Sequence, residues 1–121
     1  MSDEDDLDGT KPIDPQKALR RIVKMAPQYA KAKAELTYVE EYRKTVKALA
    51  MREAEEAGHR SAAAQEREAY CAPAYIAHLN ALREAVEQAE TLRWRLVAAE
   101  AAVEVWRSQE ASNRRIDRGT Q

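Results

Sequence analysis

One apolar pattern in the C-terminal half constrains the fold of this chain most. From Pro73 to about Ser112 no glycine interrupts the sequence, and apolar residues recur three or four positions apart. This seam consists of Leu79, Leu82, Val86, Ala89, Leu92, Leu96, Ala99, Val103 and Trp106. Such spacing is typical of a helix that packs in coiled-coil fashion. About forty residues at roughly 1.5 Å each predict a rod near 60 Å long, which a chain of this size cannot wrap completely.

A second amphipathic helix is predicted over residues 28–57. Its stripe consists of Tyr29, Ala32, Leu36, Val39, Tyr42, Val46 and Leu49. Gly58 is placed to cap its C-terminal end. Upstream, Asp14 as N-cap and Pro15 at the first helical position predict a short helix that ends before Pro27. The apolar face of this short helix is formed by Leu19, Ile22 and Val23.

The segment between the two long helices is predicted to be a capped helical bend. Ser61 can cap a short helix, and Pro73 can restart the chain as the long helix. The predicted fold class is all-α: a long helical hairpin with a short N-terminal helix and this bend, assembling through coiled-coil-like seams. The domain boundaries that follow are a disordered acidic tail over residues 1–12 and a single helical domain over residues 13–118.

Composition excludes several classes of protein. The one cysteine, Cys71, rules out an internal disulfide and cysteine-based zinc motifs. No apolar run approaches the length of a membrane span, and the acidic start is unlike a signal peptide. We therefore expect no membrane association and a cytoplasmic location, that of the host cell if a phage encodes the chain. Much of the apolar content is alanine, which buries little area, so we expect partners to supply further burial.

Charge is distributed unevenly along the chain. Residues 1–10 carry five acids and no base, whereas residues 11–52 carry eleven Lys or Arg against four acids, a net charge of +7. The acidic segment is interpreted either as a solubilising extension or as a polyanion that competes with an acidic ligand for the basic segment.

No constellation of residues indicates catalysis. His59 and His78 lie nineteen positions apart with no carboxylate or cysteine at ligand spacing, and no glycine-rich phosphate loop is present. Adjacent glutamates such as Glu40 and Glu41 point about 100° apart on a helix and cannot act as an acid–base pair. We therefore predict a protein that is not an enzyme and that holds neither metal nor cofactor.

Basic side chains and tyrosines are concentrated on the predicted helix over residues 28–57. Lysine and arginine contact phosphates, and tyrosine rings stack on unpaired bases, a combination that single-strand binders use. The candidate nucleic-acid-binding residues are Lys31, Lys33, Arg43, Lys44, Lys47, Arg52, Arg60 and Arg67. Tyr29, Tyr38 and Tyr42 supply the rings. A solvated helix face with tyrosine in its core seam explains the same residues without a ligand.

The long helix also carries a second apolar stripe beside its seam. This stripe consists of Trp94, Ala98, Ala101, Ala102 and Val105. A helix that is apolar on two faces favours self-association. The candidate oligomerisation residues are Leu92, Trp94, Leu96, Val103, Val105 and Trp106. The alternative is that Trp94 only packs on neighbouring Arg or Lys stems.

The order of these features carries a resemblance to a known family. A basic, tyrosine-bearing helix ("YVEEYRKTVKALAMRE"), a capped segment ("SAAAQEREAYCAPAY") and a long helix ("LREAVEQAETLRWRLVAAEAAVEVWRSQEASNRR") follow one another over roughly residues 25–118. In layout this is similar to the phage recombination-mediator family of the UvsY type. The resemblance implies a helical, oligomeric, non-catalytic protein that binds single-stranded DNA. Its implied partners are a RecA-like recombinase and single-strand-binding protein, and its implied roles are DNA recombination and repair.

The resemblance extends to particular positions. Lys44, Lys47 and Arg52, with Arg60 after the bend, match the family's basic DNA-contacting segment. The assembly helix of the family is matched by Leu92, Leu96, Val103 and Trp106.

Two hypotheses follow from the sequence. In the first the protein is a single-strand-binding recombination mediator. In the second it is a structural or adaptor coiled-coil phage protein that binds no nucleic acid. Basic residues clustered on one flank favour the first hypothesis, and basic residues paired with Glu three or four positions away favour the second.

Overall fold

Three helices account for the fold in the computed structural model, which describes residues 11–120. They are α1 (Pro15–Glu56), α2 (Ala62–Cys71) and α3 (Pro73–Gly119), of 42, 10 and 47 residues. Together they make 90% of residues 11–120 helical, and no strand occurs in this range. The predicted all-α class is confirmed. Of the tail predicted over residues 1–12, the first ten residues lie outside the described range.

Helix α1 begins where its cap chemistry predicts and then continues past the predicted break. The Asp14 carboxylate accepts hydrogen bonds from the backbone N–H groups of Gln16 (3.0 Å) and Lys17 (3.2 Å). Pro27, however, lies inside α1, so the separate N-terminal helix predicted from the sequence is wrong. At about 100° per residue Pro27 points away from buried Ala18, toward solvent.

The exposed position of Pro27 explains why the helix tolerates it. An interior proline leaves the carbonyl four residues earlier, here that of Val23, without its helical donor. Val23 is 68% exposed, so water can hydrate that carbonyl. The prediction that Leu19 and Val23 form the buried face is therefore also wrong: Ala18 and Arg21 are buried there, while Leu19 is 51% exposed.

Gly58 ends α1 as predicted. Its φ of +106° is a conformation that side-chain-bearing residues rarely adopt. The N–H of His59 donates to the Ala54 carbonyl, and the N–H of Gly58 donates to the Glu55 carbonyl, each at 3.0 Å. This pair of bonds is a Schellman motif, and it satisfies carbonyls that the helix end leaves without partners.

The bend between α1 and α3 also forms as predicted. The Ser61 hydroxyl accepts a hydrogen bond from the Ala64 N–H at 3.1 Å and caps α2. Ala72 has extended backbone angles after α2, and Pro73 is the first residue of α3. Helix α3 runs to Gly119, several residues beyond the end of the seam near Ser112 and one past the predicted domain end. Polar residues with good helix propensity, such as Arg114 and Arg115, continue the helix there without an apolar seam.

The described residues divide into two compact units. The central unit is Ala30–Glu90, and the terminal unit consists of residues 11–29 and 91–120. In each unit a segment of α1 is grouped with the segment of α3 that antiparallel pairing brings beside it, as the predicted hairpin requires. In the central unit the His78 ring nitrogen Nε2 lies 2.7 Å from the Val39 carbonyl and joins α3 to α1.

Alanine dominates the buried residues of both units. The buried apolar residues among those described are Ala18, Ala32, Val39, Ala50, Ala54, Ala69, Tyr75, Ala89, Leu92 and Ala99. Small side chains allow helices to approach closely but bury little apolar area. Half-exposed larger residues lie beside them, including Leu79 and Val86 of the predicted seam, each 41% exposed.

Candidate nucleic-acid interface

All eight predicted nucleic-acid-binding residues belong to the central unit. Seven of them, namely Lys31, Lys33, Arg43, Lys44, Arg52, Arg60 and Arg67, are exposed. Lys47 is half-buried. Six of them form no ion pair with any residue in the described range, while Lys44 and Lys47 do. The six can contact a ligand without first breaking an ion pair, whereas Lys44 and Lys47 cannot.

Lys47 is held in a contact between α1 and α2. Its Nζ lies 3.0 Å from Oε1 of Glu66 and 4.9 Å from the centre of the Tyr70 ring. The Tyr70 hydroxyl donates to the same Glu66 oxygen at 2.9 Å. These hydrogen bonds, first that from Lys47 and then that from Tyr70, lower the pKa of Glu66. Lys47 thus has a structural partner for its charge before any phosphate arrives.

The ring of Tyr70 connects this cluster to the start of α3. It lies 5.3 Å from the Tyr75 ring in an edge-on arrangement. Tyr75 itself is only 9% exposed, so it fixes the position of the Tyr70 ring. This contact anchors the bend on α3.

Lys44 forms a more exposed ion pair than Lys47 does. Its Nζ lies 3.2 Å from Oε2 of Glu41, three positions earlier on α1, and both side chains are about 70% exposed or more. Exposed pairs of this kind contribute little and are easily exchanged for a solvent or phosphate contact. Lys44 therefore stays available to a ligand in a way that Lys47 does not.

Arg60 and Arg67 lie on the bend and are exposed without an ion pair to any described residue. Glu66, which directly precedes Arg67, is engaged by Lys47 and Tyr70 instead. Both guanidinium groups are thus open to solvent at the end of the basic helix. The bend can contribute to a binding surface as well as joining two helices.

The tyrosines of α1 form the most distinctive feature of the central unit. The Tyr38 and Tyr42 rings stack nearly parallel, 5.8 Å apart with 9° between their planes. Tyr42 in turn lies 5.9 Å from the His78 ring on α3. Although Tyr42 was predicted in the buried stripe, Tyr38 is 63% and Tyr42 is 41% exposed. An unpaired base could stack on the open face of such a row.

Two of the predicted basic residues share a helix face with these rings. At about 100° per residue, an arc of roughly 80° on α1 contains Lys31, Tyr38, Tyr42, Thr45, Leu49 and Arg52. We call this the tyrosine face. Lys33 and Lys44 lie within about 20° of each other but on a different side of α1. The predicted basic residues therefore do not form one continuous flank.

A shallow, open concavity of about 430 Å³ lies along the outside of α1. It is lined by Lys44, Thr45, Ala48, Leu49 and Arg52. Since one helix supplies the whole lining, it is a groove along a surface rather than an enclosed chamber. Its shape suits an extended chain better than a small molecule.

The net charge of the central unit favours phosphate binding less than the +7 of residues 11–52 suggests. Residues 30–90 hold nine Lys and Arg against eleven Asp and Glu, or −2. The described part of the terminal unit holds eleven against five, or +6. A single central unit would therefore bind a phosphate chain weakly.

The predicted oligomerisation residues all belong to the terminal unit and divide into two groups. Leu92 is 5% exposed, and Leu96, Val103 and Trp106 are half-buried, so these residues serve the core of their own chain. Trp94 and Val105 point outward, 58% and 46% exposed.

Trp94 and Val105 belong to an apolar line along α3. At about 100° per residue they share an arc with Val97 and Ala101, and we call these four residues the outer stripe. The Arg93 guanidinium carbon lies 4.6 Å from the Trp94 ring centre, which is the stem packing that the alternative predicted. Most of the Trp94 surface nevertheless stays open.

Comparison with protein-family models, with curated proteins and with solved structures gives no match to this chain. Among residues 11–120, no helix is both long and apolar enough to cross a membrane. Within the same range no group of three or more His, Cys, Asp or Glu is placed to hold a metal ion.

Three features of this site could not be read from linear patterns. The stacking of Tyr38 on Tyr42 follows from their spacing of four, but the exposure of Tyr42 depends on how α3 packs. His78 joins the aromatic row only through the fold. Glu66 binds Lys47 nineteen positions away, a pairing that no helical period indicates.

Proposed function

We propose that this protein is a non-catalytic, oligomeric single-stranded DNA-binding protein that assists recombination. The observation that carries the proposal is the tyrosine face, where a stacked pair of exposed rings lies between Lys31 and Arg52 on one side of α1. Bases can reach a ring only when they are unpaired, so such a face selects single strands over duplexes. Lys31 and Arg52, about 31 Å apart along the helix, would track the phosphates on either side.

Assembly is part of the proposal because one central unit carries a net charge of −2. Several subunits joined through the outer stripe would present several tyrosine faces to one strand. Each contact after the first is then intramolecular, and weak sites add to a strong one by avidity. The resemblance to phage recombination mediators supports the same assembly. In that role the protein would act in the host cytoplasm, helping a RecA-like recombinase displace single-strand-binding protein.

Binding to a labelled single-stranded oligonucleotide, followed by fluorescence anisotropy at about 50 mM and about 200 mM NaCl, tests this proposal. Lys31→Ala/Arg52→Ala removes two charges from the tyrosine face and should weaken binding strongly. Lys33→Ala/Arg43→Ala removes two exposed charges from other sides of the same helix, outside the groove, and serves as the matched control. Tyr38→Ala should weaken binding by about 1–3 kcal/mol, while Tyr38→Phe keeps the ring and the affinity.

The outcomes separate the tyrosine face from general electrostatics. Equal losses in the two double variants would mean that charge alone binds the strand and that the tyrosine face has no special role. Absence of salt-dependent binding by the unaltered protein at micromolar concentration would overturn the proposal. The mediator role has its own test: stimulation of the strand-dependent ATPase of a RecA-like recombinase on DNA covered by single-strand-binding protein.

A second candidate function is a structural or adaptor coiled coil that binds no nucleic acid. The ion pairs within the described residues favour it, since Lys44 pairs with Glu41 and Arg107 with Glu104 at a spacing of three. Such pairs keep a long exposed helix soluble without any ligand. An assembly that persists in solution but leaves the oligonucleotide anisotropy unchanged would support this function over the first.

A further inference from the structure

The first turns of α1 carry an exposed surface that the proposed function does not use. Leu19 and Val23 lie one turn apart and are 51% and 68% exposed. Arg20 and Lys24 lie one turn apart on the adjoining side, also exposed, and neither forms an ion pair with a described residue. We call these four residues the α1 basic patch. It combines two exposed cations with two aliphatic side chains.

We infer that the chain's own acidic segment, residues 3–8, docks on the α1 basic patch and weakens strand binding. This segment reads Asp-Glu-Asp-Asp-Leu-Asp and contains five carboxylates and one aliphatic side chain, Leu7. Both chemical features of the patch thus have a counterpart in the segment: the carboxylates for Arg20 and Lys24, and Leu7 for Leu19 and Val23. The weakening of strand binding rests on the proposed function, whereas the docking itself does not.

Connectivity allows this docking. Five residues lie between Asp8 and the helix cap Asp14, and an extended stretch over those six positions spans up to about 20 Å. Arg20 and Lys24 lie about 8 and about 14 Å along the axis from Pro15. The connecting residues include Gly9 and Pro12, which are typical turn formers. A tethered segment acts at an effective concentration in the millimolar range, so even weak contacts suffice.

Other occupants fit this surface less well. A second copy placed on the same patch would bring like charges together, which is unfavourable. A nucleic acid would satisfy Arg20 and Lys24 but carries no aliphatic side chain like that of Leu7 to cover Leu19 and Val23. Net charge also favours docking on the terminal unit over the central one. Residues 1–10 carry a net charge of −5, which is attracted to the +6 of the terminal unit and repelled by the −2 of the central unit.

Docking has a direct consequence for strand binding. With the acidic segment in place, the net charge of the terminal unit falls from +6 to about +1. A phosphate chain bound to assembled subunits is attracted less strongly once this positive charge is neutralised. The acidic segment is therefore a built-in competitor whose effect weakens as salt rises.

Paramagnetic relaxation tests the docking without nucleic acid. A nitroxide is attached at Ser2→Cys in the full chain that also carries Cys71→Ser. We expect broadening of the backbone amide signals of residues 19–24 at low salt, lost at high salt. The same loss is expected when the five acids are changed to Asn and Gln, and in Arg20→Ala/Lys24→Ala. Broadening that is equal in all these samples reflects the tether alone and overturns the inference.

Oligonucleotide anisotropy then tests the competition. In the full chain with the five acids neutralised, affinity at low salt should rise by about threefold or more, and the gain should shrink at high salt. Leu7→Ser should give part of this gain although it changes no charge. Docking without any change in oligonucleotide affinity would refute the competition, and docking without any oligonucleotide binding would refute the proposed function while leaving the docked segment established.

Discussion

The ammonium of Lys47 lies 3.0 Å from a carboxylate oxygen of Glu66 and joins α1 to α2. The Tyr70 hydroxyl completes this cluster through the same oxygen. A lysine that sequence reasoning placed at a nucleic-acid interface therefore has a partner inside its own chain.

Lys47→Met should lower the midpoint of thermal unfolding more than Lys44→Met. Lys47 joins two helices and lies over the Tyr70 ring, whereas Lys44 pairs only with Glu41 on its own exposed helix face. Both changes remove one positive charge, so each controls for the effect of net charge. Circular dichroism melting curves provide the measurement. Identical midpoints would show that solvent screens the Lys47 contact fully.

Glu66→Gln should reduce stability near neutral pH but not in acid. The hydrogen bonds from Lys47 and then Tyr70 hold the pKa of Glu66 below its ordinary value of 4.5. A carboxyl group with a lowered pKa stabilises the fold above that ordinary value, and the contribution is lost as pH falls through the folded-state pKa. Denaturant unfolding of both proteins from about pH 7 down to about pH 3 should show the difference shrinking toward zero. A difference that is constant with pH would contradict the assignment.

Gly58→Ala should destabilise the protein by about 1–2 kcal/mol, because a side chain is strained at its φ of +106°. No neighbouring atom lies within 4 Å of an added Cβ at Gly58 or at Gly119, so crowding contributes nothing at either position. Gly119→Ala is the matched control, since Gly119 closes α3 without a positive φ, and it should be neutral or slightly stabilising. Urea unfolding measures both, and equal effects would argue against backbone strain.

Pro27→Ala should stabilise the protein by about 1–3 kcal/mol. The change restores an N–H donor for the Val23 carbonyl inside α1 and removes the clash of the proline ring. Pro15→Ala should have little effect, because the first helical position needs no donor there. If Pro27→Ala instead destabilises the protein, the fold depends on a bend that proline imposes in α1.

Trp94→Glu should lower the mass of the protein in solution, as measured by light scattering during size-exclusion chromatography. Trp94 is 58% exposed on the outer stripe, and a buried charge in a subunit interface is costly. Ile116→Glu introduces the same charge at a residue of similar exposure, 63%, about 33 Å further along α3. It should leave the mass unchanged. If the unaltered protein is a monomer, the outer stripe is not a subunit interface.

Much of the fold could be predicted because helix ends are set by local chemistry. Asp14, Ser61, Gly58 and Pro73 act through hydrogen bonds or backbone angles within a few positions of themselves, and each marks a boundary in the structure. The helix end predicted before Pro27 was wrong because the effect of a proline depends on which side of the helix it lies on as well as on residue type. A proline that faces solvent leaves its freed carbonyl to water, and the packing on the opposite side keeps the helix continuous.

The candidate site was harder to predict, for a related reason. An apolar stripe with a period of 3.6 covers a wide arc, and the sequence does not say which part of that arc a neighbouring helix will cover. Ala50 and Ala54 became buried at the end of α1, while Leu49 stayed 42% exposed. The packing of α3 likewise left Tyr42 open beside Tyr38, where the periodic pattern had placed it inside.

The sequence by itself thus determined the helical class, the ends of most helices and the existence of a basic, tyrosine-bearing segment. The tertiary structure alone decided which charges have partners and which rings are exposed. Cap hydrogen bonds and helical periods operate over a few residues and are written in the linear order. The pairing of Lys47 with Glu66 and the contact of Tyr42 with His78 join separate helices, so they exist only once those helices pack.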